Sequence, residues 1–314
     1  MKKVFIDGSA GTTGLRIFDR LHGRTDIQLL TLPESERKLE SSRKRLLNEA
    51  DVVFLCLPDD AAREAASWVE NPDTVVLDTS TAHRTAPGWC YGFPELSPVQ
   101  EARLRQAKRI AVPGCHASGF IALVYPLISA GLLAPDVLLS CYSLTGYSGG
   151  GKKMIAEYES ADRPVHSKLD APKSYGLGLA HKHLPEMKEI SGLAHTPMFV
   201  PVVCDYYCGM QVLVPLDLTV AGTTAEAVAA GLADYYKDAA TVKVHALNEP
   251  LPENGLYSNA MAGTDRMELY LTVNAAGDQM MLVSLFDNLG KGSSGAAVQC
   301  MNLMLGLPET EGLE

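Results

Sequence analysis

The residues best suited to chemistry lie in a short stretch around Cys115. An apolar run, Arg109 to Val112, leads through Pro113-Gly114 to this cysteine, and apolar residues at helical spacing follow from Ala117 to Ser129. We therefore expect Cys115 at or just before the first turn of a helix, where backbone N–H groups and the helix dipole favour a nucleophilic thiolate. The alternative is that Cys115 is a small apolar core residue, the commoner role of a lone cysteine.

Two histidines in the stretch His181-Lys-His183-Leu-Pro185-Glu186 form the second polar cluster. Imidazole titrates near neutral pH, so either histidine suits the general acid/base that a thiol nucleophile needs. No cysteine or carboxylate completes a recognisable ligand set around them, and we predict no metal. The alternative is a structural pair, with one histidine at a helix start and the other in the core.

A glycine-rich turn near the start of the chain predicts binding of a dinucleotide. A strand, Lys3 to Asp7, leads into G-x-x-G-x-x-G and then a helix, whose expected apolar face is Leu15, Phe18 and Leu21. Glycines allow the backbone to approach a pyrophosphate, and the helix start supplies N–H donors. The spacing alone is weak evidence, but its position after the first strand favours this interpretation. The predicted cofactor-binding residues of the turn are Gly8, Ser9, Gly11, Thr12, Thr13 and Gly14.

The residues after the second strand favour NADP over NAD. In such folds an acidic side chain at this point binds the ribose hydroxyls of NAD, whereas a cation accepts the 2'-phosphate of NADP. Ser35, Arg37 and Lys38 favour NADP, while Glu34 and Glu36 weigh against it. The alternative is that Arg37 and Lys38 only solvate the start of a helix.

Three further segments offer groups to the cofactor or to an anionic substrate. Ser80 and Arg84 follow the fourth strand, where Ser80 can face the cofactor and Arg84 can bind an anion or pair with a structural carboxylate. Thr145 to Lys153 is expected to be a long flexible loop that either wraps a phosphate or connects two domains. The glycine-rich stretch Asp287 to Gly295 leads into the last helix and again presents N–H groups.

The elements that position these residues predict an α/β protein with two architectures. Up to Val112, apolar strands alternate with helices, as in a Rossmann-like, doubly wound parallel sheet. From Thr196 onward, several strands and one long helix, Thr224 to Lys237, predict an α+β catalytic domain with a largely antiparallel sheet and helices on one face. We assign residues 1–114 and 295–314 to the first domain and 115–294 to the second.

Composition excludes several classes of function. A formal net charge of -10 argues against broad binding of nucleic acid or anionic membranes. No apolar run reaches the roughly 18 residues of a membrane span. Met1-Lys2-Lys3 leads directly into the strand Val4 to Asp7, so we expect no targeting peptide and a cytoplasmic location. The seven cysteines lack a disulfide-like spacing, and we expect Cys204 and Cys208 to pack in the core rather than bind zinc.

Together these segments resemble the N-acetyl-gamma-glutamyl-phosphate reductase family in its shorter form and, more distantly, aspartate-semialdehyde dehydrogenase. The matching segments are Gly8 to Gly14, Asp78 to Arg84, Tyr91 to Leu96, Pro113 to Cys115, Thr145 to Lys152, His181 to Glu186 and Asn288 to Gly295. The resemblance implies that Cys115 is the nucleophile, that His181 is the acid/base residue, and that the glycine turn and the segment with Asn288 and Gly290 bind NADP. It also implies a homo-oligomer, a tetramer or a dimer, formed through the second domain, and a place in arginine biosynthesis.

The resemblance implies NADPH-dependent reduction of N-acetyl-gamma-glutamyl phosphate to N-acetylglutamate 5-semialdehyde, with phosphate release, through a thioester on Cys115. His181 would donate a proton to the developing oxyanion and take it back on collapse. The candidate residues for this acyl phosphate substrate are Arg84, Ser148, Lys152, His183 and Glu186. After the cysteine, the chain has His116-Ala117-Ser118 where the long form has an aromatic residue, Pro and Thr, which leaves the role of His116 open.

Two other functions remain open at this point. Another phosphorylating semialdehyde dehydrogenase, acting on aspartyl or aminoadipyl phosphate, would use the same machinery. A non-catalytic NADP-sensing protein would need the glycine turn but neither Cys115 nor His181, and the joint presence of these two residues argues against it.

Overall fold

The computed structural model describes all 314 residues, which divide into two compact units. The first unit contains Met1–Gly114 and Ser293–Leu313. The second contains Cys115–Gly292, together with Glu314.

The first unit is built on a six-stranded parallel sheet. Its strands are β1 (Lys2–Asp7), β2 (Ile27–Leu30), β3 (Val52–Leu55), β4 (Val75–Asp78), β5 (Cys90–Tyr91) and β6 (Arg109–Ala111). They lie in the order β2-β1-β3-β4-β6-β5, and every neighbouring pair is parallel. From β1 the chain first forms β2 on one side of β1 and then forms β3 on the other side. The strand order therefore switches between β1 and β3. Ligands of such sheets bind outside the carboxyl ends of the strands at this point.

Helices cover both faces of this sheet, which confirms the predicted Rossmann-like architecture. The helices are α1 (Thr12–Leu21), α2 (Glu40–Glu49), α3 (Asp59–Ser67), α4 (Pro98–Leu104) and, from the end of the chain, α10 (Gly295–Leu305). Val4 and Ile6 of β1 pack in a core with residues of α1 and α10, whereas Phe5 packs in a second core with residues of α2 and α3. Because both faces of the central strands are buried, β3 is apolar throughout and β4 is apolar up to Asp78.

The predicted apolar face of α1 is wrong at Leu15, whereas Phe18 is partly buried against the core and Leu21 is buried. Leu15 is 45% exposed, and the buried residues are Gly14, Ile17 and Leu21. A side chain at position 14 would place its Cβ 2.5 Å from the carbonyl oxygen of Gly8, so the helix packs directly on the glycine turn through Gly14. This close approach rotates Leu15 towards solvent.

The second unit contains a seven-stranded mixed sheet in the order β11-β12-β13-β10-β7-β9-β8. Its strands are β7 (Ser140–Gly146), β8 (Lys173–Ser174), β9 (Met198–Cys204), β10 (Met210–Asp217), β11 (Val242–Val244), β12 (Met267–Val273) and β13 (Gln279–Phe286). β7 pairs with β9 and β11 with β12 in parallel, and the other four pairs are antiparallel. The prediction of a largely antiparallel sheet is therefore confirmed.

The helix that begins at Cys115 packs directly on this sheet. The helices of the second unit are α5 (Cys115–Ser129), α6 (Gly151–Tyr158), α7 (Leu184–Ser191), α8 (Leu218–Ala221) and α9 (Ala225–Tyr236). A Cβ at Gly119 would lie 2.5 Å from Ser284 Oγ, so glycine is needed where α5 approaches β13. α5 is the longest helix, with 15 residues, and no helix in the structure has the length and apolar character needed to cross a membrane.

The expectation of a flexible loop from Thr145 to Lys153 is wrong. β7 continues to Gly146, a 3₁₀ turn covers Tyr147–Gly150, and α6 begins at Gly151. The N–H groups of Tyr147 and Ser148 donate to the carbonyl oxygens of Tyr206 and Tyr207 at 2.9 and 3.0 Å. The small residues therefore permit close packing against a neighbouring turn rather than mobility.

Candidate active site

Cys115 is the first residue of α5 and is partly exposed. It follows β6 after three residues, so the strand-turn-helix context expected from the sequence is present. The first turn of a helix offers N–H groups and a positive dipole end, both of which stabilise a thiolate. Two other cysteines are poor candidates for a nucleophile, since burial raises the pKa of Cys56 to about 12 and also raises the pKa of Cys141.

The segment before α10 passes close to Cys115. A Cβ at Gly292 would lie 3.0 Å from the Cβ of Cys115 and 3.1 Å from the carbonyl oxygen of Asp287. Gly292 therefore lets the backbone run beside Cys115 with little space between them. The neighbouring Lys291 is almost fully buried, at 2% exposure, and the sequence analysis did not single it out.

His181 and His183 lie at the start of α7, which packs against α5. The backbone N–H of His183 donates to Nδ1 of His181 at 3.2 Å. An acceptor at Nδ1 places the proton of a neutral His181 on Nε2. His181 is partly exposed, whereas His183 is buried, at 5% exposure.

Two residues that the sequence analysis did not assign, His116 and Tyr175, lie in the same cluster. His116 Nε2 is 2.8 Å from the hydroxyl of Tyr175, and its Nδ1 is 2.7 Å from the hydroxyl of Ser143. The ring centroids of His116 and His181 are 5.5 Å apart. The position of His116 next to Cys115 could have indicated that it belongs to the site. Nothing in the sequence indicates that Tyr175, 59 residues away, is its hydrogen-bond partner.

The other residues of the second unit that were predicted to bind ligands lie in different environments. Ser148 and Asn288 are both buried, and the side-chain amide of Asn288 donates to Ser148 Oγ at 3.0 Å and accepts from the N–H of Gly209 at 2.9 Å. Lys152 is exposed in the first turn of α6, and Glu186 is buried in the first turn of α7. The structure therefore brings Ser148 and Asn288 together.

Gly290, predicted to bind the cofactor, has a local structural role. A Cβ at this position would lie 2.0 Å from the carbonyl oxygen of Thr264. Gly290 and Asn288 belong to the second unit, whereas the glycine turn belongs to the first.

The glycine turn has the features of a phosphate-binding site. Gly8 has a φ of +87°, and a Cβ there would lie 2.3 Å from the carbonyl oxygen of Cys56, so only glycine fits at this position between β1 and β3. The N–H of Gly11 closes the turn onto Gly8 O at 2.9 Å, and no side chain caps the N-terminus of α1. Thr12 Oγ1 is buried without a hydrogen-bond partner. Its position and the uncapped N–H groups fit a bound pyrophosphate.

The remaining residues of the turn, and those predicted to distinguish NADP from NAD, lie near the surface. Ser9 and Thr13 are partly exposed, and Thr13 Oγ1 is 3.4 Å from Ser293 Oγ. Ser35, Arg37 and Lys38 are exposed in the turns after β2. Arg37 forms an ion pair with Glu34 at 2.6 Å, which is weak at such an exposed position and can exchange for a phosphate.

Ser80 and Arg84 are both buried at the carboxyl edge of the first sheet. Ser80 donates to the carboxylate of Asp78 at 2.7 Å, and Arg84 donates from Nε to the carbonyl oxygen of Val112 at 3.0 Å and from Nη2 to that of Thr79 at 3.1 Å. Through these two hydrogen bonds, Arg84 connects the backbone that follows β4 with the backbone that follows β6.

Two family descriptions match this chain. Residues 3–104 match "Semialdehyde dehydrogenase, NAD binding domain", and residues 115–288 match "Semialdehyde dehydrogenase, dimerisation domain". The first match covers the glycine turn, and the second begins at Cys115.

Proteins similar to this chain over nearly their whole length include several named N-acetyl-gamma-glutamyl-phosphate reductase. The protein from Burkholderia cenocepacia is 47% identical over 96% of this chain and 97% of its own length. The second such reductase of Pseudomonas putida is 46% identical over 98% of both chains, and that of Trichormus variabilis is 45% identical over 99% of both.

Solved structures similar to this chain include aspartate semialdehyde dehydrogenases. That of Vibrio cholerae superposes with a TM-score of 0.72 over 98% of both chains at 15% identity. The Candida albicans enzyme, solved with NADP, superposes with a TM-score of 0.65 over 97% of this chain and 98% of its own at 17% identity.

Proposed function

Since the chain belongs to the N-acetyl-gamma-glutamyl-phosphate reductase family of semialdehyde dehydrogenases, we propose that it reduces N-acetyl-gamma-glutamyl phosphate to N-acetylglutamate 5-semialdehyde in arginine biosynthesis. The observation that carries this proposal is the 45% to 47% identity with reductases over nearly the full chain. The placement of Cys115 and His181 supports it, because it supplies the nucleophile and the proton donor that the chemistry requires.

The proposed reaction begins with attack of the Cys115 thiolate on the carbonyl carbon of the acyl phosphate. The bond from this carbon to the phosphate oxygen breaks, phosphate leaves, and a thioester remains on Cys115. Bound NADPH supplies the hydride that reduces the thioester carbon. His181 donates a hydrogen bond from Nε2 to the oxyanion of the resulting tetrahedral intermediate, which collapses to the aldehyde as the carbon–sulfur bond breaks. The aldehyde then leaves and the thiolate is restored.

The proposed cofactor is NADP, bound through the turn Gly8 to Gly14. The buried Thr12 hydroxyl without a partner and the uncapped start of α1 support a pyrophosphate at this turn. Arg37 and Lys38, with Ser35, are the proposed ligands of the 2'-phosphate. Their position after β2 is where such folds distinguish the two cofactors.

The remaining site assignments stay proposals of the same kind. The proposed substrate-binding residues are Arg84, Ser148, Lys152, His183 and Glu186. The further residues proposed to bind the cofactor are Ser80, Asn288 and Gly290.

The enzyme is also proposed to work as a homo-oligomer in the cytoplasm. The match of residues 115–288 to a dimerisation domain supports assembly through the second unit, with residues 1–114 and 295–314 as the cofactor domain. None of the seven cysteines forms a disulfide, which supports a reducing compartment.

Substitution of the nucleophile tests the thioester route. We expect Cys115→Ala to reduce turnover to background while NADPH binding, measured by fluorescence titration, stays within about threefold of wild type, because the glycine turn is unchanged. Cys208→Ala, at another partly exposed cysteine, is the matched control and should remain active. Intact mass spectrometry after mixing with acyl phosphate alone should reveal one acyl adduct in wild type and none in Cys115→Ala. Turnover in Cys115→Ala would remove the thioester route.

The substrate class is tested in the reverse direction. Phosphate-dependent reduction of NADP should be fastest with N-acetylglutamate 5-semialdehyde and much slower with the semialdehydes of aspartate and aminoadipate. A faster rate with either of the other two would assign the enzyme to that substrate. Absence of thiol-dependent activity with all three would instead favour a sensing role.

A further inference from the structure

Ser143, His116 and Tyr175 form a hydrogen-bonded row that joins three elements of the second unit. Ser143 lies on β7, His116 directly follows Cys115 in α5, and Tyr175 directly follows β8. The Ser143 Oγ to His116 Nδ1 distance is 2.7 Å, and the His116 Nε2 to Tyr175 Oη distance is 2.8 Å. The backbone N–H of Tyr175 donates to the carbonyl oxygen of Pro201 on β9 at 3.1 Å, so both the backbone and the phenol of Tyr175 are held.

The burial of Ser143 determines the direction of these hydrogen bonds. Ser143 is fully buried, and His116 is the hydrogen-bond partner of its hydroxyl. If His116 Nδ1 carried the proton, the hydroxyl proton of Ser143 would be left buried without an acceptor, which costs free energy. His116 therefore accepts at Nδ1 and donates from Nε2 to the oxygen of Tyr175.

The imidazole of His181 packs among four other rings, two of which belong to this row. The ring centroids of His116, Tyr175, His183 and Phe199 lie 4.8 to 5.8 Å from that of His181, at interplanar angles of 62° to 88°. Rings that meet edge to face at these distances attract one another. The contacts therefore restrict rotation of the His181 side chain.

The short segment between Tyr175 and His181 is exposed to solvent. Because every residue from Gly176 to Ala180 is exposed, packing of their side chains contributes little to the position of the segment. A Cβ at Gly176 would lie 3.7 Å from Cδ2 of His181, so the backbone next to Tyr175 lies against the imidazole. A displacement of Tyr175 would therefore be transmitted to His181.

His116 is suited to holding its neighbours rather than to proton transfer. Its two ring nitrogens are engaged by Ser143 and Tyr175. Burial, together with the positive charges of His181 and Lys182, lowers the pKa of His116 to about 3. A neutral imidazole keeps the single Nε2 proton that the bond to Tyr175 requires, and it places no charge beside His181.

We propose that His116 and Tyr175 are positioning residues for His181. The row fixes the phenol of Tyr175 to the first turn of α5, and the two rings hold the imidazole of His181 in one orientation relative to Cys115. The inference rests on the proposed function in taking Cys115 as the nucleophile and His181 as the donor to the oxyanion. It also gives a role to His116, at which this chain departs from the long form of the family.

The kinetics of Tyr175→Phe test whether Tyr175 acts through His181. The substitution removes the hydroxyl that accepts from His116 and keeps the ring. We expect kcat for phosphate-dependent aldehyde oxidation to fall about tenfold or more with little change in KM, because a small misplacement of a catalytic group has an effect of this size. In a chain that already carries His181→Asn, Tyr175→Phe should change kcat by less than about twofold. Tyr257→Phe, at an exposed tyrosine of the same unit, should match wild type.

Two substitutions at His116 test the hydrogen bond to Tyr175. Glutamine places an amide near the Nε2 position and can still donate to Tyr175, whereas asparagine places it near Nδ1 and reaches only Ser143. We expect His116→Asn to lower kcat as Tyr175→Phe does, and His116→Gln to restore most of the activity. The double variant with Tyr175→Phe and His116→Asn should be no slower than either single variant, because both changes remove one interaction.

Modification by diethyl pyrocarbonate measures the restraint on His181 without substrate or cofactor. The reagent acylates neutral imidazoles, and mass spectrometry of the full protein after digestion gives the rate at each histidine. In Tyr175→Phe and in His116→Asn we expect His181 to react at least about threefold faster than in wild type, because its ring is less firmly held. His116→Gln should react as wild type does. Buried His183 and exposed His195 are internal controls, and neither rate should change.

The outcomes separate this inference from the proposed function. A modification rate of His181 that is the same in every variant, or one that rises equally at His183, would overturn the inference even if Cys115→Ala is inactive. Losses of kcat that multiply when Tyr175→Phe is added to His181→Asn would also overturn it. Turnover by Cys115→Ala would instead overturn the proposed function, and the modification rates would still decide whether the row holds His181. Thermal unfolding identifies any variant that fails to fold, and Tyr175→Phe, which keeps its ring, then carries the comparison.

Discussion

The two histidines at the start of α7 differ in what their side chains can do. The N–H of His183 donates to Nδ1 of His181, so a neutral His181 carries its proton on Nε2. His183 is buried and lies at the cap position of the helix. This arrangement supports His181 as the proposed donor to the oxyanion, while His183 stays a proposed substrate residue.

Substitution of each histidine checks this assignment. We expect His181→Asn to lower kcat by on the order of 100-fold or more with little change in KM, because the proton donor is lost while substrate binding is kept. His195→Asn, at an exposed histidine of the same unit, is the control and should match wild type. Steady-state kinetics with purified variants provide the comparison. A larger fall in kcat for His183→Asn than for His181→Asn would reverse the assignment.

Single residues also mark the limit of prediction from sequence. The place of Cys115 at a helix start could be predicted, because strand, Pro-Gly and helical spacing are all local features. The row through Ser143, His116 and Tyr175 could not, since it joins residues from separate elements whose contact depends on the fold. The burial of Lys291 was not predicted either, because a lysine in a glycine-rich stretch ordinarily indicates an exposed loop.

At the level of elements, glycine-rich stretches have two different structural roles in this chain. In the turn after β1, glycine is needed for a positive φ and for close packing, and this turn was predicted correctly as part of a strand-turn-helix unit. In the stretch after β7, glycines predicted mobility, whereas the structure has a 3₁₀ turn and α6. The difference arises because Gly146 packs on the turn at Tyr207. A Cβ at position 146 would lie only 2.5 Å from the carbonyl oxygen of Tyr207.

The glycine turn itself can be tested with a matched pair of substitutions. Gly8 and Gly23 have nearly the same φ, +87° and +90°, but a Cβ at Gly8 would lie 2.3 Å from Cys56 O, whereas nothing lies within 4 Å at Gly23. Gly23→Ala should therefore cost about 1 kcal/mol of unfolding free energy from backbone strain alone. Gly8→Ala should cost about 2 kcal/mol more from the added collision.

Chemical denaturation measures both costs, and fluorescence titration measures NADPH binding. We expect Gly8→Ala to weaken NADPH binding at least about tenfold, because the turn must move away from β3, while Gly23→Ala binds as wild type does. Equal destabilisation by the two substitutions would contradict the steric explanation. Unchanged NADPH binding in Gly8→Ala would contradict the role of the turn.

For the whole molecule, the sequence pattern predicted the type of each sheet but not its strand order. Continuous apolar strands indicated a doubly covered parallel sheet, and several strands with one long helix indicated a largely antiparallel sheet with helices on one face. The parallel pairing of β7 with β9 was not predicted, because such pairing depends on the route of the long segment between them. The alternation in β10, where Val212 and Val214 are buried and Leu213 is half-buried, also leaves one face of the second sheet partly open.

This open face is the proposed surface for assembly. Tyr142 is 47% exposed and Met198 is 59% exposed, and in the register of the sheet they share the face with Leu144, Val200 and Leu213. A continuous apolar surface on a folded unit is typical of a protein interface. A second copy of this chain is the partner that the matched dimerisation domain supports.

A charge placed on this face should break the assembly. In a two-fold symmetric dimer, Tyr142→Lys would bury two unpaired ammonium groups, so we expect the dissociation constant to rise by at least about 100-fold. Val99→Lys, at a residue 63% exposed in the first unit, is the control and should assemble as wild type does. Sedimentation at several protein concentrations measures both variants, with circular dichroism to confirm folding. A folded Tyr142→Lys variant that sediments as wild type does would place the interface elsewhere, because an unpaired lysine cannot be tolerated at the centre of a close-packed apolar contact.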